Sequence, residues 1–251
     1  MIEKNPKITI ITVVKNGENH IEQNIKSLLN QSYQNYEHII VDGISTDRTM
    51  EIVNKYRSKI HKIISEKDEG LYDAMNKGIK SSSGDIIGIL NSDDYFNKDA
   101  LKIVKTHFEN YPEINFLFGS VIKHKHLYSF QPWKIYWTFG FYTAHSVGFF
   151  IKKESQLKVG YYNLKYKYSA DYDLFYRMIV KMKMKGKSTK KNEILGYFNI
   201  NGLSSRIKYI DFLNENTLIR LDNGQNKYIV KIIYLLRYIK RIRIILKQKK
   251  N

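Results

Sequence analysis

Short apolar runs alternate with amphipathic segments along the first hundred residues of the chain. Ile8–Val14 is a β-branched run that predicts a buried strand, and a helical pattern follows at 21–29. The same cycle repeats, with predicted strands at 38–41, 62–65 and 86–90 and a helical pattern after each. Continuous apolar strands separated by helices are typical of a parallel sheet that is covered on both faces. We therefore predict an α/β fold with a mostly parallel central sheet flanked by helices.

The pattern becomes less regular beyond Tyr95. Apolar spacing predicts a helix at 100–108 and one continuous strand at 116–123, and the stretch 128–150 is rich in aromatic residues. A strand at 148–151 and helices at 154–159 and 172–182 give this half an α+β character. Because no low-complexity linker separates the halves, we predict one domain over residues 1–225, with halves at about 1–100 and 101–225.

Residues 226–251 form a tail in which apolar and basic residues alternate at near-helical spacing, and no acidic residue follows Asp222. A basic amphipathic helix of this kind lies on an anionic membrane surface, and a helix packed against a partner subunit is the alternative. The longest apolar run, 232–236, is far shorter than the roughly 20 residues that span a bilayer. We therefore predict peripheral attachment rather than a transmembrane helix.

The overall charge indicates an anionic partner. The formal net charge is +18 over 251 residues, which favours nucleic acid, a phosphate-bearing substrate or an acidic lipid surface. There is no cysteine, so any bound metal has oxygen or histidine ligands, and a hard cation such as Mg or Mn is favoured. The residues after Met1 lack the basic and apolar regions of a secretory signal, so we expect a cytoplasmic protein.

Polar side chains stand at the carboxyl ends of the predicted strands in the first half, where ligands bind to sheets of this kind. Taken singly they are ordinary turn formers or helix caps, but four converging loops indicate a binding site. The candidates are Asn16, Asp42, Lys67, Asp68, Asn91, Ser92, Asp93 and Asp94.

Two of these candidates are adjacent carboxylates that directly follow the predicted strand at 86–90. Asp93 and Asp94 repel each other unless a cation or solvent relieves them. A strand end that presents carboxylate oxygens suits a hard divalent ion, which would keep positions open for phosphate oxygens and water. A solvated turn that caps the helix near Asp99 is the alternative.

Four segments follow one another along the first half of the chain: the strand and loop at 10–16, VDGISTDRT at 41–49, SEKDEGLYDAMNKG at 65–78 and NSDD at 91–94. In this order they resemble motifs of the family 2 glycosyltransferases, whose catalytic domain has the GT-A nucleotide-diphospho-sugar transferase architecture. The last segment occupies the place of the D-x-D metal motif, with Asn91 instead of its first acid. The resemblance covers roughly residues 8 to 100. The segment at 65–78 is similar to one that is common in bacterial members of the polysaccharide type.

This resemblance implies that residues 1–100 bind the nucleotide sugar and residues 101–225 bind the acceptor. Asp42 and Asp68 are expected to hydrogen-bond the uracil and ribose of the donor. Asp93 is the expected principal metal ligand, with Asp94 as a second, and Mn or Mg would bridge to the diphosphate. The implied donor-binding set is Thr12, Asn16, Asp42, Lys67, Asp68, Asn91 and Ser92.

The second half contains further segments that resemble the family. YSADYDL at 168–174 is similar to its acidic motif, which makes Asp171 the expected catalytic base and leaves Asp173 to contact substrate, cap or orient. His145 precedes a predicted strand, where relatives have a histidine lining the cleft, although a lone histidine is also a common structural residue. Ser204 and Arg206 lie in a glycine-serine loop that would close over the diphosphate, with an ordinary mobile turn as the alternative.

These observations predict an inverting, metal-dependent glycosyltransferase at the inner face of a bacterial membrane. It would move a sugar from a nucleotide-diphospho-sugar, with a UDP-sugar as the expected donor, to a hydroxyl of a glycan or lipid-linked acceptor in surface polysaccharide synthesis. A nucleotidyltransferase of related architecture and a basic nucleic-acid-binding protein are the alternatives. Converging carboxylates disfavour a nucleic-acid partner, and the loop at 15–19 lacks the glycine fingerprint of a nicotinamide-dependent dehydrogenase.

Overall fold

The computed structural model describes residues 5–137, 141–199 and 207–249 of the chain. In chain order its strands are β1 (Ile8–Val14), β2 (Tyr36–Asp42), β3 (Lys62–Ser65), β4 (Ile86–Ile89), β5 (Tyr95–Phe96), β6 (Phe116–Phe118), β7 (Ser120–Ile122), β8 (His126–Leu127), β9 (Phe149–Lys152), β10 (Gly186–Ser188) and β11 (Ile194–Tyr197). Its α-helices are α1 (Ile21–Leu29), α2 (Thr49–Lys55), α3 (Leu71–Ser81), α4 (Ala100–Asn110), α5 (Lys153–Val159), α6 (Ala170–Tyr176), α7 (Tyr209–Asp222) and α8 (Lys227–Lys249).

The central sheet has seven strands in the order β10-β6-β9-β4-β1-β2-β3. Neighbouring strands are parallel except at β9, which runs antiparallel to both β4 and β6. Strands β1, β2 and β4 are buried along their whole length, which is why their sequences are continuous apolar runs rather than alternating ones. The predicted mostly parallel sheet with flanking helices is confirmed.

The prediction of a single strand at 116–123 is wrong, because the chain changes sheet at Gly119. β6 belongs to the central sheet, whereas β7 joins a second sheet of order β5-β11-β7-β8. A Cβ atom at Gly119 would lie 1.9 Å from Leu195 Cδ1, so the close approach of β11 requires glycine at this position. The second sheet adjoins the carboxyl end of β4, since β5 begins directly after the turn at 91–94.

The C-terminal part of the described chain is helical. α6 begins at Ala170, and a π-helical turn at Arg177–Lys181 continues it to the predicted end. The predicted helical tail is confirmed as α8, which packs against α7. Within residues 5–137, 141–199 and 207–249, none of the helices combines the length and apolar character that crossing a bilayer requires.

Candidate active site

The loops after β1 and β2 are tied to each other at the carboxyl edge of the sheet. Asn16 Oδ1 accepts a hydrogen bond from the backbone N–H of Thr46 at 2.8 Å, and the Asn16 N–H donates to Ser45 Oγ at 2.8 Å. The Gly17 N–H donates to Thr49 Oγ1 at 2.8 Å. The predicted site residue Asn16 therefore joins two loops, and its side chain remains exposed at their junction.

Asp68 packs against Gly43, the residue that follows Asp42 in the chain. A Cβ atom at Gly43 would lie 2.2 Å from Asp68 Oδ2, so the carboxylate of Asp68 occupies the space of the missing side chain. Asp42 is fully buried, and Ser65 Oγ donates to its Oδ2 at 2.7 Å. The structure thus brings these two predicted donor-binding carboxylates together. It leaves Asp68 partly exposed and Asp42 enclosed within the loop.

Thr12 and Lys67, two further residues of the predicted donor-binding set, differ in exposure, and only Thr12 departs from the prediction of a ligand contact. Thr12 is fully buried in β1, and its Oγ1 lies 2.9 Å from His38 Nε2 and 3.1 Å from Asn24 Oδ1. Thr12 therefore supports the site from behind, because a residue with no exposed surface cannot line a pocket. Lys67 has an exposed side chain, and its carbonyl accepts a hydrogen bond from Lys77 Nζ at 2.6 Å.

The segment Asn91–Asp94 forms a tight turn fastened to α1. The Asp94 N–H donates to the Asn91 carbonyl at 3.0 Å, which closes the turn. Asn24 Nδ2 donates to the carbonyls of Asn91 and Asp94 at 2.9 and 3.0 Å. Ser92 lies against the first loop, since its Oγ would be 3.3 Å from a Cβ at Gly17. The loops after β1 and β4 therefore meet.

The two carboxylates of this turn are poorly solvated. Burial, together with the charge of Asp93, raises the pKa of Asp94 to about 7. Burial also raises the pKa of Asp93, which stays partly exposed. The Asn199 N–H donates to Asp94 Oδ1 at 2.7 Å. Both acids consequently lie where a bound cation would strongly favour their ionised forms.

The oxygen atoms of this turn fit a hard divalent cation. Within residues 5–137, 141–199 and 207–249, Asn91 Oδ1 and Asp94 Oδ2 are buried without a hydrogen-bond partner. No cluster of three or more acidic or histidine side chains that could enclose a metal occurs in the described part of the chain. Mg and Mn sites often use one or two carboxylates and take their other ligands from water and substrate phosphates. Asp93 and Asp94 match that pattern.

The predicted base Asp171 lies in the first turn of α6 between two tyrosines. Tyr72 OH donates to Asp171 Oδ1 at 3.1 Å, and Tyr142 OH donates to Oδ2 at 3.0 Å. Burial and the charge of Asp171 raise the pKa of both phenols well above the usual tyrosine value, so they remain hydrogen-bond donors. A carboxylate oxygen has two acceptor sites, so Asp171 retains capacity for a substrate hydroxyl.

The segment from Tyr142 to Ser146 connects this base with the acidic turn. Tyr142 contacts Asp171, as described above, and Ser146 Oγ accepts a hydrogen bond from the Asn91 N–H at 2.7 Å. His145 lies between them, with its Nε2 2.6 Å from Tyr162 OH. Burial lowers the pKa of His145, and the charge of Asp171 partly opposes that shift. One five-residue segment, which includes His145, therefore links Asp171 to the acidic turn.

Asp173 does not share the surroundings of Asp171. It is buried, accepts a hydrogen bond from Asn223 Nδ2 at 2.8 Å and pairs with Arg177 Nε at 2.9 Å. These contacts correct the prediction of a substrate contact and support the orienting role, because the carboxylate ties α6 to α7. Ser204 and Arg206, the other predicted diphosphate residues, lie outside the described residues.

Lys123 is a candidate site residue that the sequence did not reveal. It follows β7, is partly buried and places its Nζ 4.3 Å from the centroid of the Phe198 ring. Asn199, the next residue after Phe198, is the one that hydrogen-bonds Asp94. Burial lowers the pKa of Lys123, and the charge of Asp94 opposes that shift. Lys123 is thus close enough to Asp94 for the two charges to interact.

A mostly parallel sheet with paired carboxylates at the carboxyl end of β4, linked through residues 142–146 to a further carboxylate, agrees with the GT-A nucleotide-sugar transferase fold. The chain belongs to glycosyl transferase family 2, whose family model matches residues 9–161, more than half of its length.

Comparison with individual proteins agrees with this family. TuaG of Bacillus subtilis, a putative teichuronic acid biosynthesis glycosyltransferase, is 36% identical over 100 residues, which are 39% of this chain and 40% of TuaG. The first curated relatives are each matched over 40% of their own length. The chain therefore corresponds to less than half of these proteins.

Two solved structures share the fold. S. aureus TarS 1-349 in complex with UDP-GlcNAc matches with a TM-score of 0.71 and 19% identity, over 93% of this chain and 73% of that one. The mannosyltransferase PcManGT from Pyrobaculum calidifontis, in complex with GDP-Man and Mn2+, matches with a TM-score of 0.67 and 18% identity, over 93% and 70%. At such identities the likeness establishes the fold.

Proposed function

We propose that this chain is an inverting glycosyltransferase that moves a sugar from a UDP-sugar to a hydroxyl group of a glycan or lipid-linked acceptor. The observation that carries the proposal is the segment from Tyr142 to Ser146, which contacts Asp171 at one end and the acidic turn at the other. A leaving-group site and a base on one cleft are what a single displacement at an anomeric carbon requires.

The donor nucleotide occupies the edge formed by the first three loops. Asp68 is the partly exposed carboxylate there, and Asn16 holds the two neighbouring loops in place. Ribose and uracil present hydroxyl and N–H donors, which carboxylates accept readily. The TarS structure of the same fold is a complex with UDP-GlcNAc, which supports a UDP-sugar as the donor.

Asp93 and Asp94 are the residues that would hold a divalent cation, and when bound it would supply charge neutralisation for the departing diphosphate. PcManGT, which shares the fold, is a complex with Mn2+, and this supports Mn or Mg as the cofactor. Lys123 adds a positive charge of the chain itself that interacts with Asp94. We assign it to the diphosphate of the donor.

Asp171 is the base in this proposal. It removes the proton from the acceptor hydroxyl as the oxygen forms a bond to the anomeric carbon, and the bond from that carbon to the diphosphate oxygen breaks with its electron pair. Tyr72 and Tyr142 orient the carboxylate through its two oxygens. Because attack and departure occur on opposite sides of the anomeric carbon, the configuration inverts.

The biological setting that we propose is the synthesis of a bacterial surface polysaccharide at the inner face of the cell membrane, with no nucleic-acid partner. The name of TuaG, which refers to teichuronic acid biosynthesis, supports such an acceptor. The basic helix α8 would attach the enzyme peripherally to anionic lipid. Flotation with liposomes should recover the full chain and lose a version that ends at Asn226, and equal recovery of both would contradict this attachment.

The proposal is tested first with nucleotides, because the acceptor need not be known. UDP should raise the melting temperature of the full chain more than GDP or dTDP does, and Mn should enlarge the effect. A UDP-sugar should then release UDP in a metal-dependent reaction, whereas UTP should release no pyrophosphate. Pyrophosphate release from UTP would instead support the nucleotidyltransferase alternative, and no response to any nucleotide would refute both.

A further inference from the structure

Glu215 of α7 holds the backbone that precedes the proposed base. Its Oε1 accepts hydrogen bonds from the N–H groups of Tyr168 and Ser169 at 2.8 Å each, and its Oε2 accepts one from the Lys167 N–H at 3.0 Å. Three successive backbone donors therefore converge on one carboxylate. Because hydrogen bonds to an ionised group are stronger than those between neutral groups, this contact fixes residues 167–169 on α7.

The same short segment is held from its other side by α3. The hydroxyl oxygen of Tyr72 lies 3.2 Å from the carbonyl oxygen of Tyr168 and 3.1 Å from Asp171 Oδ1. Tyr168 is thus contacted at its N–H by Glu215 and at its carbonyl by Tyr72. Two helices that are distant in the sequence consequently meet on one residue, which lies just before the base.

The connection from this segment to Asp171 is short. Ser169 is the N-cap residue of α6, and its carbonyl accepts the Asp173 N–H at 3.2 Å in the first turn of the helix. The Ser169 side chain makes no capping hydrogen bond, and its Oγ instead accepts one from Asn216 Nδ2 of α7 at 3.2 Å. Glu215 and Asn216 therefore set where α6 starts, and the position of the Asp171 carboxylate follows from that start.

We propose that Glu215 is a positioning residue for the transfer reaction, which holds Asp171 within reach of the acceptor hydroxyl by fixing residues 167–169. This inference rests on the proposed role of Asp171 as the base and deepens it. A base must lie within hydrogen-bond reach of the proton that it removes, and a displacement of about 1 Å can cost about 10²-fold in rate. Glu215 contacts no reacting atom in this mechanism, so its effect passes through the base.

The release of UDP from a UDP-sugar in the presence of Mn tests this role without an identified acceptor, because water replaces the acceptor hydroxyl. The probe is the most rapidly cleaved of UDP-glucose, UDP-galactose and UDP-GlcNAc. Glu215→Ala should lower kcat about 10²-fold and leave the Kd of UDP unchanged. Glu215→Gln keeps a carbonyl oxygen for the N–H groups of Tyr168 and Ser169, so it should recover about tenfold of that loss.

A double-mutant cycle with Asp171→Asn separates positioning of the base from general support of the fold. If Glu215 acts through the base, Glu215→Ala should lower kcat by less than about twofold in the Asp171→Asn background. Hydrogen exchange followed by mass spectrometry should also show faster exchange at residues 167–169 in Glu215→Ala than in the parent.

Asp222→Asn is the matched control, since Asp222 is a second carboxylate of α7 that holds the adjoining part of the same loop. It accepts hydrogen bonds from Tyr166 OH at 2.6 Å and from Lys165 Nζ. This variant should lower the melting temperature and leave kcat within about twofold of the parental value, because its contacts do not reach residues 167–169.

The outcomes distinguish this inference from the proposed function. Parental kcat in Glu215→Ala would overturn the inference and leave the base assignment intact. An equal loss of kcat with and without Asp171→Asn, or the same loss in Asp222→Asn, would do likewise. Parental kcat in Asp171→Asn would refute the base, and a parent that releases no UDP from any of the three sugars would refute the proposed function. Either of these two results would overturn the inference as well.

Discussion

Replacing Lys123 with glutamine tests whether the cation beside Asp94 belongs to the donor site or merely balances a buried acid. Lys123 is partly buried, and its Nζ lies 4.3 Å from the centroid of the Phe198 ring. Phe198 directly precedes Asn199, which holds Asp94. A diphosphate bound at the acidic turn would therefore meet the ammonium group. Glutamine keeps a similar length and a polar end but removes the charge.

The size of the effect follows from the kind of contact. A hydrogen bond between charged groups contributes about 1.5–3 kcal/mol. Because Lys123 is partly solvated, we expect the lower end of this range, which corresponds to about tenfold in the Kd of UDP. Uridine lacks phosphate groups, so its Kd should not change. Lys123→Arg, which retains a positive charge, should bind UDP within about threefold of the parent.

Isothermal titration with UDP and uridine in the presence of EDTA measures this contact directly, because no divalent ion then contributes to phosphate binding. Lys125→Gln is the matched control, since Lys125 is exposed on the same hairpin. If Lys123→Gln binds UDP as tightly as the parent, the assignment to the diphosphate is wrong. An equal loss for uridine and UDP would instead show that Lys123 only supports the local fold.

Four further predictions concern the base, the metal site and the fold. Asp171→Asn should lower kcat by about 10³-fold and leave the Kd of UDP unchanged, and transfer at the parental rate would refute the base assignment. Asp93→Ala should abolish the tightening of UDP binding by Mn in calorimetry, and retention of that effect would place the metal elsewhere. Burial lowers the pKa of His38 to about 3, below its unfolded value of about 6.5. The unfolded chain therefore binds more protons between these values, and the free energy of unfolding should fall as pH decreases from about 6.5 towards 3. His38→Gln should reduce that slope in urea denaturation, and identical slopes would contradict the burial argument. Gly119→Ala should cost about 1–3 kcal/mol through overpacking, because its new methyl group would overlap Leu195 Cδ1; an unchanged urea midpoint would contradict it.

The first half of the fold was predictable because burial on both faces makes β1, β2 and β4 continuous apolar runs. The second sheet was not, since β5 and β8 contain two residues each and offer no period to detect. The break at Gly119 also escaped prediction. A glycine within an apolar run signals a close approach only when the approaching group is known, and here that group is Leu195 from a distant strand.

The motifs identified which residues belong to the candidate site, but they did not show which hydrogen bonds and ion pairs each side chain makes. They named Asp42 but could not show that Ser45 and Ser65 already occupy its oxygens. The pairing of Asp173 with Arg177 has a visible signal, because the two residues are four apart on a helix. Lys123 has no such signal in the sequence, because its position depends on how a short hairpin packs on Phe198.

The hydrogen bond from Tyr72 to Asp171 has a consequence for hybrid enzymes. Tyr72 belongs to α3, which starts just after Asp68. A helix of the donor-binding half therefore holds the base of the acceptor-binding half in position. A chimaera spliced near residue 100 would inherit the phenol from one parent and the carboxylate from the other. Grafting a new acceptor preference onto this scaffold therefore requires transplanting α3 and α6 as a matched pair.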